Sequence, residues 1–143
     1  GGPAMIRQAV EAAHAAHQRP WILAVTALTS LDASDLQAIG VNEDVSSYVV
    51  RLARMAQANG ADGVICAATE IEMLRKACGP DFKLVVPGIR PKGSAAGDQK
   101  RVMTPGDAFR LGADHLVIGR PITEAESPEA SAQAIAQELA EAA

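Results

Sequence analysis

Arg120 stands between Gly119 and Pro121, directly behind the apolar pair Val117-Ile118. A guanidinium in such a place stays charged and can hold two oxygens of a phosphate at once. The glycine N–H beside it adds a neutral donor with no side chain in the way. A second group of this kind lies upstream, with Arg90 in Pro87-Gly88-Ile89-Arg90-Pro91 and Gln99 in Asp98-Gln99-Lys100-Arg101. From Arg90 to Arg101 four cations (Arg90, Lys92, Lys100, Arg101) stand against one anion, Asp98, although the whole chain carries a net charge of -4. That local reversal suits a small anionic ligand better than a long polyanion. Residues 93–97, all Gly, Ser or Ala, cannot form a core and read either as a lid able to fold over a bound anion or as an ordinary flexible loop. Taken alone, Arg120 also fits a surface residue paired with Glu124.

Thr29 and Ser30 offer hydroxyls at the end of another apolar run, where a substrate ring could be read. Either could instead cap the helix that follows, and capping is the preferred reading for Ser30. His14 and His17 are three apart and could share a metal, but no third ligand accompanies them, so a solvated helix face is the simpler reading. His115, at the start of a strand, is similarly unpromising. Cys66 and Cys78 are too far apart for a Cys-x-x-Cys site and too few for a disulfide framework, so both read as buried small hydrophobes. Aromatic residues make up only 3% of the chain. With the negative net charge, this leaves no stacking, basic surface for nucleic acid. A membrane-spanning segment is also absent from the pattern. The opening Gly1-Gly2-Pro3-Ala4-Met5 has neither an initiator Met nor the order of a signal peptide, and reads as a cut point within a longer, cytoplasmic protein.

The elements that must position these residues follow from periodicity. Pro3 precedes a helical stripe of Met5, Ile6, Ala9, Val10 and Ala13 that ends before Arg19-Pro20. Residues 21–28 read as a buried strand, and a short helix over 32–39 is stopped by Gly40. Val45, Tyr48, Val49, Leu52, Met55 and Ala56 then repeat at helical spacing up to Gly60. A strand over 63–67 is followed by a helix opened by Thr69 and Glu72 as a capping box and closed by Gly79. The next strand covers 83–86. Thr104 as N-cap, Pro105 at the first helical position and Gly112 past the end delimit another helix. A strand over 115–118 and a last helix from Ser127-Pro128 complete the chain. The stretches Asn59-Gly60-Ala61-Asp62-Gly63-Val64-Ile65 and Leu111-Gly112-Ala113-Asp114-His115-Leu116-Val117 echo each other. This gives Asp62 and Asp114 turn-making roles at strand starts.

One helix and then four strand-helix units in alternation specify an α/β fold with a parallel sheet and right-handed crossovers. A β/α barrel needs roughly 250 residues and binds phosphate in the loops after its last two strands. The 143 residues therefore fit a partial β/α TIM barrel, its C-terminal half of about four units, with the basic loops at the phosphate-binding end.

Three segments together resemble bacterial orotidine 5'-monophosphate decarboxylases: residues 24–32 (Ala-Val-Thr-Ala-Leu-Thr-Ser-Leu-Asp), the two segments around Arg90 and Gln99 running on through Lys100-Arg101-Val102-Met103-Thr104-Pro105, and Val117-Ile118-Gly119-Arg120-Pro121-Ile122-Thr123. The resemblance covers essentially the whole of residues 1–143 as one partial barrel carrying strands five to eight. It implies decarboxylation of orotidine monophosphate to uridine monophosphate in pyrimidine synthesis, without metal or organic cofactor. On matching positions it implies that Arg90, Gln99, Gly119 and Arg120 bind substrate, chiefly its phosphate, and that Thr29 contacts the pyrimidine. It also implies a homodimer.

The family's chemistry rests on alternating Asp and Lys residues around an Asp-x-Lys-x-x-Asp motif, in which the Lys protonates the carbanion-like carbon. The four lysines here are Lys76, Lys83, Lys92 and Lys100. Asp81-x-Lys83 and Asp98-x-Lys100 begin the motif correctly, but the sixth positions are Val86 and Met103. No catalytic residue is therefore expected within this chain, which reads as the substrate-gripping part of the enzyme. The chain alone is expected to be inactive and to associate with itself through open barrel edges. Alternatives are a related sugar-phosphate enzyme, against which Thr29 in its Leu-Thr-Ser context argues, and a non-catalytic phosphate-binding half-barrel.

Overall fold

In the computed structural model, which describes residues 1–91 and 103–142, the alternation takes shape as seven α-helices and four strands. They run α1 (Pro3–His14), β1 (Leu23–Val25), α2 (Ala33–Ala38), α3 (Val45–Ala58), β2 (Gly63–Ile65), α4 (Ile71–Cys78), β3 (Lys83–Val86), α5 (Pro105–Arg110), β4 (His115–Leu116), α6 (Arg120–Thr123) and α7 (Pro128–Ala142). Gln99, the candidate lid at 93–97 and the cations Lys92, Lys100 and Arg101 lie outside the described residues. The sheet is parallel throughout and its spatial order β1-β2-β3-β4 is the chain order. Ala24, Val64 and Leu84 stand side by side in register. With Val86, Leu116 and Ile118 they join the core that the helices cover with Ile6, Val49, Ala53, Ile71, Leu74 and Ala108. The other face carries Val25, Ile65, Val85 and Val117, and there Val25 is 56% and Val117 50% exposed. One covered and one open face, with β1 and β4 at the edges among the described residues, make this sheet half of a β/α barrel.

Helix ends follow the glycines. Gly40, Gly60, Gly79 and Gly112 stand past the ends of α2, α3, α4 and α5 with φ between +83° and +100°, where a Cβ would be strained. Strand β1 is shorter than its apolar run, because its backbone bonds to the neighbouring strand reach only from the Ile22 carbonyl, which accepts from the Asp62 N–H (2.9 Å), to the Thr26 N–H, which donates to the Ile65 carbonyl (3.3 Å). Ile22 gives its N–H to the Asp62 carboxylate (2.7 Å), and the chain turns at Leu28, whose carbonyl accepts from the Leu31 N–H (3.0 Å).

Two expected caps are replaced. Asp32, not Ser30, caps α2: its Oδ1 accepts from the Ser34 and Asp35 amides (2.9 and 3.1 Å), and Asp35 Oδ2 accepts from the Asp32 N–H (2.9 Å). The Thr69–Glu72 box gives way to a 3-10 turn over Ala68–Glu70, in which Thr69 is exposed. The Glu70 carboxylate, only 2% exposed, accepts from the Ala67 N–H (2.8 Å) instead. Cys66 is buried as expected, but Cys78 is only partly so; burial still pushes its thiol up, against the pull of Arg54. No helix among the described residues is long and apolar enough to cross a membrane.

Candidate functional site

The strand starts are built for cohesion. Asp62 precedes β2 and accepts from the Ile22 N–H (2.7 Å) and from Arg19 Nη2 (2.6 Å). Asp114 precedes β4 and does the same for its neighbour, accepting from the Leu84 N–H (2.8 Å), from Lys83 Nζ (3.3 Å) and from Arg75. Burial works to raise both carboxyls, yet the backbone N–H and the arginine outweigh it and hold each below the usual carboxylate range. Both stand at strand starts, as their echoing sequences imply, but their carboxylates tie the start of the neighbouring strand and do not close their own turn. Arg75, which sequence reasoning passed over, spends its whole fork here. Besides Asp114 it reaches the carbonyls of Gly112 (2.7 and 3.0 Å), Phe82 (2.6 Å), Pro80 (3.1 Å) and Gly79 (3.4 Å). Its only sequence signal is a cation in the last turn of α4. At this same end the Trp21 ring rests 5.4 Å from that of His115.

The other end of the sheet collects the candidate binding residues. Strand β3 runs out through Pro87 and Gly88 to Ile89, which pairs with Met103, and the Arg90 N–H donates to the Met103 carbonyl (3.0 Å). The two chain segments are thereby pinned together at the top of β3, and Arg90 Nη1 folds back to the Ile89 carbonyl (2.8 Å). Strand β4 pairs with β3 through Val86 and Leu116, so Gly119 and Arg120 emerge at the same end, from the adjacent strand. A Cβ on Gly119 would meet no atom of the described residues within 4 Å, so among them the approach to its backbone is open. Arg120 is exposed and opens α6, a helix too short for periodicity to reveal; its one sequence sign is Pro121 just inside the start.

Thr29 lies beyond β1 at this end, partly buried, and lines a small pocket of about 70 Å³ with Val25, Ile65, Cys66 and Pro87. Strands sit about 4.8 Å apart, so Thr29 stands roughly 10 Å across the sheet from the Arg90 strand and roughly 14 Å from the Arg120 strand, before curvature. A ligand touching all three residues is therefore elongated, anionic at the β3–β4 side and held by apolar surface and a hydroxyl at the β1 side. The structure thus brings Arg90, Gly119 and Arg120 to the same end of two adjacent strands and Thr29 to that end across the sheet, and leaves His14, His17 and His115 elsewhere. Among the described residues no group of three or more His, Cys, Asp or Glu is gathered as a metal would need.

Comparison with known proteins bears directly on this arrangement. Residues 1–135 match the orotidine 5'-phosphate decarboxylase / HUMPS family. The chain belongs to that family. Orotidine 5'-phosphate decarboxylases similar to it include that of Alcanivorax borkumensis, 51% identical over 140 residues, which are 98% of this chain and 61% of the relative. Another, from Gluconobacter oxydans, is 53% identical over 146 residues, 99% of this chain and 62% of the relative. Among solved structures, the orotidine 5'-phosphate decarboxylase of Lactobacillus acidophilus superposes with a TM-score of 0.81 at 38% identity, over 96% of this chain and 59% of that one. The chain thus spans about 60% of the length of the orotidine 5'-phosphate decarboxylases it matches.

Proposed function

We propose that this chain is the substrate-gripping part of an orotidine 5'-monophosphate decarboxylase, a lyase that turns orotidine monophosphate into uridine monophosphate and carbon dioxide. The observation that carries the reading is the convergence of Arg90 and of Gly119–Arg120 at one end of adjacent parallel strands, with Thr29 at the same end across the sheet. Arg90, Gly119, Arg120 and, outside the described residues, Gln99 hold the phosphate. Thr29 meets the pyrimidine. Binding energy gathered at the phosphate, remote from the reacting carbon, orients the ring and so lowers the barrier without touching the chemistry. The names of the relatives favour the decarboxylase over a sugar-phosphate enzyme of the same family.

The Asp/Lys set that this chemistry needs is not found in the 143 residues, so turnover requires a polypeptide that supplies it. The test is direct. The chain alone is assayed with orotidine monophosphate, then mixed with the separately produced upstream part of the Alcanivorax borkumensis relative. No turnover alone and turnover on mixing is the expected result; substantial turnover by the chain alone would overturn the assignment of the chemistry elsewhere.

A further inference from the structure

Helix α6 has four residues, far fewer than a helix needs to hold itself. The bonds that close it are at its ends: the Ile122 and Thr123 amides donate to the Gly119 carbonyl (2.8 and 3.0 Å), the Glu124 amide to that of Arg120 (2.9 Å) and the Ala125 amide to that of Ile122 (3.3 Å). Its orientation must come from outside. The Pro121 carbonyl, one residue after Arg120, accepts a hydrogen bond from the Ser131 hydroxyl on α7 (2.8 Å). Seven residues further along α7, Glu138 Oε1 accepts from the Gly106 N–H in the first turn of α5 (2.9 Å). Residues seven apart lie on one face of a helix, and buried Ile135 stands between them on that face. One face of α7 therefore fastens both α6, which carries Arg120, and α5, which follows the Met103 end of the Arg90 pairing.

We infer that Ser131 is a positioning residue for phosphate binding: through the Pro121 carbonyl it sets the α6 turn that aims Gly119 and Arg120. The inference rests on the proposed role of Arg120. It needs nothing at Ser131 to touch the ligand.

The experiment titrates the unsubstituted chain and its Ser131→Ala, Ser131→Thr, Ser131→Val and Arg120→Ala variants with uridine monophosphate and with uridine, and records each melting temperature. Ser131→Ala is expected to weaken uridine monophosphate about fivefold, the equivalent of one ordinary hydrogen bond, with uridine unchanged. Thr and Val have nearly the same shape, so Ser131→Thr retaining affinity while Ser131→Val loses it isolates the hydroxyl even if the alanine variant folds poorly. Equal losses for nucleotide and nucleoside, or a loss shared by Thr and Val, would overturn the inference. Loss in Arg120→Ala with none in Ser131→Ala or Ser131→Val overturns it and leaves the phosphate reading standing. No effect of Arg120→Ala, or no binding by the unsubstituted chain, removes both.

Discussion

At the scale of single residues, two arginines with different duties define the molecule's polarity. Arg75 and the aspartates Asp62 and Asp114 lock the strand starts, while Arg120 stands exposed at the strand ends. Replacing Asp114 with Ala strips the Leu84 amide and the Arg75 guanidinium of their shared acceptor in a partly buried place. The expected cost is about 2–4 kcal/mol of stability, read by chemical denaturation. Both carboxyls are held below their ordinary value, so what they contribute is complete above about pH 4 and drains away as pH falls through their lowered native values. Thermal unfolding from pH 7 to pH 2 should therefore steepen below about pH 4 in the native protein, and flatten in the Asp62→Asn, Asp114→Asn double variant. Arg120→Ala should weaken uridine monophosphate by about 2–3 kcal/mol, the loss of a charged hydrogen-bond donor, and leave uridine almost untouched. Calorimetric titration of the two ligands separates these outcomes.

At the scale of elements, the tightest constraint is the passage of β2 beside β3. A Cβ on Gly63 would fall 2.2 Å from the Lys83 carbonyl oxygen, so Gly63→Ala must push two backbones apart. A loss of about 1–3 kcal/mol or more is expected in urea unfolding, whereas Thr104→Ala, which removes only the α5 cap, should cost about 1 kcal/mol. These elements were differently legible. Helix ends could be read because a left-handed glycine is a local requirement, and Gly40, Gly60, Gly79 and Gly112 each meet it. Strand ends could not, because pairing decides them: the run continues through Ala27 and Leu28, but the last β1 bond to β2 is that of the Thr26 N–H to the Ile65 carbonyl (3.3 Å). The Glu70 cap depends on a 3-10 turn that no spacing rule anticipates. Arg90, Gly119, Arg120 and Thr29 could be singled out because each directly follows an apolar run. Ser131, in an Ala-rich helix, has no mark of its own until α6 is seen against it.

For the whole molecule, the decisive feature is the open side. Leu28 is 58% exposed and Trp21 51%, and with Val25 and Val117 they leave apolar surface uncovered beside two edge strands. Such a face and such edges favour association. We expect the isolated chain to pair with a second copy through its edges, as concentration-dependent mass in light scattering. A monomer that keeps one mass and one cooperative unfolding transition across a hundredfold dilution would refute this.

The strand order β1-β2-β3-β4 has a consequence for the way the molecule is made. Four fastenings reach backward along the chain: Asp62 to Ile22, Asp114 to Leu84, Ser131 to Pro121, Glu138 to Gly106. A chain leaving the ribosome thus finds each partner already present, and the sheet can be laid down strand by strand as synthesis proceeds. The arginine turn at Gly119–Arg120 must wait for the first turn of α7, which carries Ser131, and α5 must wait for the Glu138 turn further along it. The end of the sheet that grips the ligand is therefore set after its strands are paired.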